Sequence, residues 1–189
     1  GTVSGLADET PLVLISTFTS DGSDDTASFT SGIDSTYKEY LFLFNNIHAS
    51  ASGANALFQF QGSSNTGSSY GVAITSTAFF AYHDEADSTT SLSYDTNDDL
   101  AQGTGFQNLS NRSHNDNDSS MSGMLKLYNP SSTTFVKHFM AVTNNMHNSP
   151  MSLNERVAGY FNTTSVIDAI QFKFNTGQIQ GGTIDLFGV

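Results

Sequence analysis

The chain contains no cysteine and no tryptophan, and only six of its 189 residues are lysine or arginine. Without thiols there is no disulfide framework, no thiolate zinc site and no cysteine nucleophile. Eighteen acidic residues against those six basic ones leave a formal charge of −12. That charge repels nucleic-acid phosphates and anionic membrane surfaces, so neither is an expected partner. No run approaches the ~18 consecutive apolar residues that mark a membrane-spanning helix. Gly1-Thr2-Val3-Ser4-Gly5-Leu6 carries neither an initiating methionine nor a basic-then-apolar signal region. The expectation is that a start has been removed or that the chain is a piece of something longer. Residues 1–10 are expected to form an extended arm.

Charge of either sign is scarce, at 13% of residues, so the surface is expected to be a neutral coat of Ser, Thr, Asn and Gly. Fifteen Phe and seven Tyr supply the apolar area of a core, which sets the chain apart from disordered sequences. A chain this long buries about two-thirds of its unfolded surface, so it needs no metal to hold its fold. One domain spanning residues 1–189 is expected.

Periodicity identifies the class. Period-two alternation predicts strands near Leu12–Phe18, Ala27–Phe29, Tyr37–Asn45, Leu57–Gln61, Gly71–Tyr82, Met124–Tyr128, Phe135–Val142, Val157–Phe161, Ala169–Phe174 and Thr183–Phe187. Helical periodicity is confined to a plausible turn within Ser149–Ala158. About ten short strands between polar turns predict an all-β protein, an antiparallel β-sandwich of jelly-roll type. The segment Val166–Val189 reads as a closing β-hairpin, with Ile170, Phe172 and Phe174, a break at Asn175-Thr176-Gly177, then Ile184 and Leu186. In Tyr37–Asn45 both faces are apolar: Tyr40, Phe42 and Phe44 point one way, Leu41 and Leu43 the other. The second face needs a cover, whether a loop, a neighbouring subunit or a particle surface. Residues 84–120, rich in Asp, Asn and Ser, read as one long loop without strands of its own. The spaced Leu92, Tyr94, Leu100, Phe106 and Leu109 predict that it docks in part.

Candidate chemistry is sparse. Asp21-Gly22-Ser23-Asp24-Asp25 and Asn115-Asp116-Asn117-Asp118 concentrate oxygen ligands of the kind calcium takes, but neither has the spacing and closing Glu of an EF-hand. Turn formation accounts for them better, and no cofactor is expected. His48, His83, His114, His138 and His147 show no metal-ligand spacing, and His138 is expected to be hydrogen-bonded within a strand. His83-Asp84-Glu85 reads as a solvated strand end. Carboxylates avoid strand interiors, with Glu39, Asp168 and Asp185 as partial exceptions, and no G-x-S-x-G elbow occurs, so no catalytic centre is expected. Tyr70, Tyr82 and Tyr94, near polar loops, are candidates to stack a sugar of a host glycan.

Several segments together carry a family resemblance. Tyr37-Lys38-Glu39-Tyr40-Leu41-Phe42-Leu43-Phe44-Asn45-Asn46-Ile47, followed by Ala54-Asn55-Ala56-Leu57-Phe58-Gln59-Phe60, forms an aromatic strand, a loop and a second strand. Gly123-Met124-Leu125-Lys126-Leu127-Tyr128-Asn129-Pro130 and Ala169-Ile170-Gln171-Phe172 follow, and Gly182-Thr183-Ile184-Asp185-Leu186-Phe187-Gly188-Val189 matches a G-x-(I/L)-x-(L/I)-(Y/F)-G-(I/V) ending. This order resembles tailed-bacteriophage virion proteins from Tyr37 to Val189, with the central loop unmatched. The resemblance implies a non-enzymatic capsid decoration, cement or fibre protein on the virion surface, working as a homo-oligomer, often a trimer. Other virion proteins such as the major capsid protein would then be its partners. It transfers no catalytic or binding residue. The expected contacts are the outward-facing Met124, Tyr128 and Phe187, with Leu125, Leu127 and Leu186 turned into the core. The alternative expectation is a carbohydrate-binding receptor module at a fibre tip.

Overall fold

The computed structural model describes residues 12–53 and 56–189, so the arm expected over residues 1–10 lies outside them. The described residues form strands and no helix. In chain order the strands are β1 (Val13–Thr19), β2 (Ala27–Phe29), β3 (Glu39–Ala49), β4 (Phe58–Ser63), β5 (Ile74–Asp84), β6 (Thr90–Tyr94) and β7 (Ala101–Gly103). They continue with β8 (Gln107–Ser110), β9 (Met121–Tyr128), β10 (Lys137–Met146), β11 (Met151–Phe161), β12 (Ala169–Phe174) and β13 (Ile179–Gly188). All pairings are antiparallel.

Two sheets result. The larger has nine strands, ordered β1-β13-β3-β9-β10-β11-β5-β6 with β7 also on β5, and the smaller has four, ordered β2-β12-β4-β8. A jelly roll divides eight strands between its sheets, so this sandwich is more lopsided than the expected jelly roll.

Alternation explains which side chains meet between the layers. Tyr40, Phe42 and Phe44 of β3 and Leu125 and Leu127 of β9 face inward from the large sheet, as Phe58, Phe60 and Phe172 do from the small one, and all are buried. Phe172 is the hub, with its ring 5.2 Å from those of Phe42 and Phe44, 5.8 Å from Phe58 and 6.1 Å from Phe29. Most of these pairs are edge-to-face, the arrangement that the aromatic quadrupole favours. A second cluster joins Phe60, Phe139 and Phe161, with centroids 4.9 to 5.9 Å apart.

Several expectations are corrected. The closing segment is not a hairpin: β12 pairs with β2 and β4 in the small sheet, while β13 pairs with β1 and β3 in the large one. The chain crosses the sandwich instead. Its turn passes Gly177 at φ 81°, where an added Cβ would stand 2.7 Å from that of Ala51. Gln178 N–H donates to Ser50 Oγ at 2.7 Å and its carbonyl accepts from Ser50 N–H at 3.0 Å, tying the crossing to the end of β3. Two alternating strands joined by a short turn bury apolar residues equally well across one core, so alternation does not distinguish this arch from a hairpin.

The helical turn expected in Ser149–Ala158 is strand β11. Leu153, Val157 and Phe161 recur every four residues, a spacing that fits both a helix face and a strand face. Glu155 and Gly159 hide the period of two between them. Gly159 allows a close approach there, since a Cβ would lie 2.5 Å from the Thr75 carbonyl and 2.9 Å from the Phe139 ring.

Residues 84–120 are not strandless. They carry β6, which extends the large sheet, β7 on β5, and β8, which extends the small sheet. Leu109 is fully buried and Leu100 packs on the core, whereas Leu92 is exposed. Phe106 lies under the Lys173 ammonium, 4.5 Å from its ring centroid, and so covers the outside of the small sheet. Fully buried Gln61 fastens this cover by donating to the carbonyls of Thr104 and Gly105 at 3.2 and 2.7 Å.

Candidate functional site

Two surfaces have the composition of binding sites. The first is the outward face of the large sheet. Register places Leu14, Phe187, Leu41, Lys126, Met140, Ala158 and Thr77 in one row across β1-β13-β3-β9-β10-β11-β5. The next row holds Thr17, Asp185, Leu43, Met124, Val142, Arg156 and Phe79. The outward face of an antiparallel sheet in water is ordinarily polar. Here Leu14 and Met140 are each 55% exposed, Met124 45% and Phe79 42%, with half-buried Leu41, Leu43, Val142 and Phe187 between them.

The three residues expected to make contacts share this face. Met124 is exposed and Phe187 half-buried in adjacent rows, while Tyr128 is half-buried at one end of β9. Leu125, Leu127 and Leu186 point inward and are buried. Tyr128 borders a depression of about 610 Å³ whose sides include His138, Met140, Ala158 and Tyr160. His138 lies within β10 as expected and is exposed there, with its ring centroid 5.9 Å from that of Tyr160. Lys126 forms an ion pair with Glu39 and sits 5.4 Å from the Tyr128 ring centroid. This carboxylate holds the ammonium pKa above its ordinary value.

The second surface is a cleft of about 490 Å³ where the large sheet outruns the small one. The small sheet ends at β8, which lies over β10 and β11 and touches β5 where Ser76 Oγ donates to Gln107 Oε1 at 2.6 Å. Farther along β5, Phe80 and Tyr82 occupy the inward phase set by Ile74 and Ala78, yet both are only half-buried. Their rings are nearly parallel, at 18° with centroids 6.1 Å apart. Tyr94, at the end of edge strand β6, also lines the cleft, and its hydroxyl donates to Asp99 Oδ2 at 2.6 Å. That bond raises the Tyr94 pKa.

The polar wall of the cleft is made by Asp95, Asn97, Asn111, Arg112 and His147, with Met151 and Leu153 adding apolar lining. Asp95 is anchored by its N–H donating to the Ala78 carbonyl at 2.9 Å and accepts the Asn97 N–H at 2.9 Å. Arg112 is held at φ 48°, an uncommon conformation for a side chain with a Cβ. No carboxylate among the described residues lies within ion-pair distance of its guanidinium. Burial, followed by the Arg112 charge, keeps the His147 pKa low, so its ring is neutral at pH 7.

Beneath this polar wall lies a buried carboxyl pair. Glu155, 5% exposed on the inward face of β11, corrects the expectation that carboxylates avoid strand interiors. Glu155 Oε2 accepts the Asn111 N–H at 2.6 Å, and Asp98 accepts Asn108 Nδ2 and Asn111 Nδ2 at 2.5 and 3.0 Å. Burial and then the Asp98 charge push the Glu155 pKa up to about 8, and burial also raises that of Asp98. A proton therefore stays on Glu155 at neutral pH. Neither carboxyl lines the cleft; the pair instead anchors Asn111, which does.

The other candidates lie apart. Tyr70 precedes β5, at the opposite end of that strand from Tyr82, with its hydroxyl buried beside Gly67 and no partner for it among the described residues. Tyr82 and Tyr94 are thus brought together and Tyr70 is not. Asp21 and Asp24 close a turn, accepting the N–H groups of Ser23 and Asp21 at 2.9 and 2.8 Å. Among the described residues, no group of three or more His, Cys, Asp or Glu is placed to hold a metal ion. Asp84 caps a turn by accepting the N–H groups of Ser88 and Thr89, both at 2.8 Å. The Ser88 side chain and then these N–H groups pull its pKa down to about 2.

Phe80, Arg112, Asp98 and Glu155 were not expected as site residues. The alternation Leu153-Glu155-Val157 is the one sequence signal that points to an inward carboxylate, and it is legible only once the segment is taken as a strand. Compared with protein-family models, curated proteins and solved structures, the chain shows no match.

Proposed function

We propose that this chain is a non-enzymatic structural protein of a tailed-phage virion, attaching to a capsid or fibre through the outward face of its large sheet. The apolar rows running from Leu14 to Met140 and from Leu43 to Val142 carry this reading. Apolar area of this kind stabilises an interface by ~25 cal/mol per Å² removed from water, less the cost of association. The mixed Lys126, Glu39, Asp185 and Arg156 on the same face supply polar contacts that orient a partner, whether a second copy or another virion protein. The resemblance of the sequence segments between Tyr37 and Val189, with the Gly182–Val189 ending, to virion proteins supports this class of partner.

The test is the solution mass of the chain and of a Met124→Ser/Met140→Ser variant. An oligomer that falls to monomer in the variant, with melting unchanged, is the expected result. A native chain that is monomeric and does not bind virions sinks the reading.

A second reading, carbohydrate recognition, is favoured by the cleft that brings Tyr82 and Tyr94 together beside Asp95, Asn97 and Arg112. A few convergent polar groups beside aromatic side chains suit a ligand with both apolar and hydroxyl-bearing surfaces. Loss of glycan binding on Tyr82→Ser would support it, and a glycan array without signal would oppose it.

A further inference from the structure

We infer that the cleft takes an uncharged saccharide, with a ring against Phe80 and Tyr82 and hydroxyls on Arg112 and Asp95; this rests on the carbohydrate reading above. Its volume of about 490 Å³ falls within the ~300–1,000 Å³ usual for small-molecule sites. Its apolar side exists because Phe80 and Tyr82 continue the inward phase of β5 after the small sheet has ended. Side chains of a type and phase that belong in the core are left half-covered, with none of the described residues filling the 490 Å³ in front of them.

The polar part of the lining is pre-organised. Asp95 is 8% exposed and fixed by its backbone bond to Ala78, while Asn111 is fixed by Glu155 and Asp98. The Arg112 guanidinium is a fork of donors with no carboxylate partner among the described residues.

Charge selects the class of sugar. Asp95 lines the cleft, and Asp99 stands at its edge on the Tyr94 hydroxyl. His147 is neutral, so Arg112 is the one positive charge among the described lining residues. Within a chain of net charge −12, an anionic sugar meets repulsion that the single guanidinium does not offset. A ligand carrying phosphate is excluded on the same ground, whereas hydroxyl groups donate to Asp95 and accept from Arg112 without that cost.

The test is calorimetric titration of the full chain with uncharged gluco-, galacto- and manno-oligosaccharides, and with oligogalacturonate as the acidic counterpart. An uncharged oligosaccharide should bind. Arg112→Gln and Phe80→Ser should each weaken it by about tenfold, the size of one charge-assisted or aromatic contact. Phe135→Ser, exposed and outside both surfaces, should leave it unchanged. Arg112 is exposed, so its variant keeps the test valid if Phe80→Ser fails to fold. Tighter binding of oligogalacturonate overturns the uncharged class but leaves the cleft as a sugar site. Binding of an uncharged sugar that is indifferent to both cleft variants overturns the location. Binding of none of these sugars overturns the proposal and, with a silent array, the carbohydrate reading beneath it.

Discussion

Phe161 and Phe80 lie on the same face of the same sheet, on the adjacent strands β11 and β5, and their environments are opposite. Phe161 is fully buried, 5.9 Å from the Phe60 ring of the small sheet, whereas Phe80 is half-buried beside an open cleft. Both obey the alternation of their strands, so phase is not what separates them. The difference is the facing layer: β4 lies across from Phe161, and the small sheet has ended before Phe80. A nine-stranded sheet opposed by four strands must leave inward-facing side chains uncovered, and the composition of that overhang decides whether it becomes a surface or a site. Here it carries aromatics together with a polar lining. The segment 84–120 supplies β6, β8 and much of that polar lining.

The comparison can be broken by substitution at its two ends. Phe172→Ala, in the sealed core, should cost about 3–5 kcal/mol, and Phe80→Ala on the overhang about 1 kcal/mol. Chemical denaturation of both variants measures this. Equal losses would mean that the overhang is packed as tightly as the core.

The next effect concerns the boundary between the two regions, where Glu155 lies. Its pKa is raised from 4.5 to about 8, so the folded chain keeps a proton that the unfolded chain loses between those values. Stability from this group is present below about pH 4.5 and is lost as pH rises through about 8. Glu155→Gln retains an acceptor for the Asn111 N–H and cannot ionise. It should flatten the dependence of melting temperature on pH over this window and melt higher than the native chain at pH 8. A variant that melts lower at pH 8 would show that the carboxylate form is accommodated.

The smallest effect is expected on the outward face. The Lys126–Glu39 pair is about two-thirds covered on each side chain, yet it still borders water, and Glu39→Gln should change stability by no more than about 1 kcal/mol. A larger loss in thermal melting would mark this face as more enclosed than its apolar rows suggest.

Strand existence was legible because alternation is local. The ranges Ala27–Phe29 and Ala169–Phe174 coincide with β2 and β12, and the inward positions Tyr40, Phe42, Phe44, Leu125, Leu127 and Leu186 are buried as their phase requires. Legibility failed where one period mimicked another or where polar residues held inward positions. The four-residue spacing of Leu153, Val157 and Phe161 resembled a helix face, and Glu155 broke the apolar run. The strands β6, β7 and β8 were lost among Asp, Asn and Ser. Of the cleft, Tyr82 and Tyr94 were visible as aromatics near polar loops, while Phe80 and Arg112 were not, since nothing local marks a residue that the opposite sheet leaves uncovered.

The sequence by itself determined an all-β chain, its acidic and thiol-free chemistry, and the face to which most strand residues turn. These follow from composition and from a two-residue period that each strand carries within itself. Only the tertiary structure decided which strands share a sheet, that β12 and β13 cross the sandwich instead of pairing, and where one sheet stops short of the other. Those outcomes depend on contacts between residues far apart in the chain, and a short turn or an alternating pattern is compatible with more than one of them.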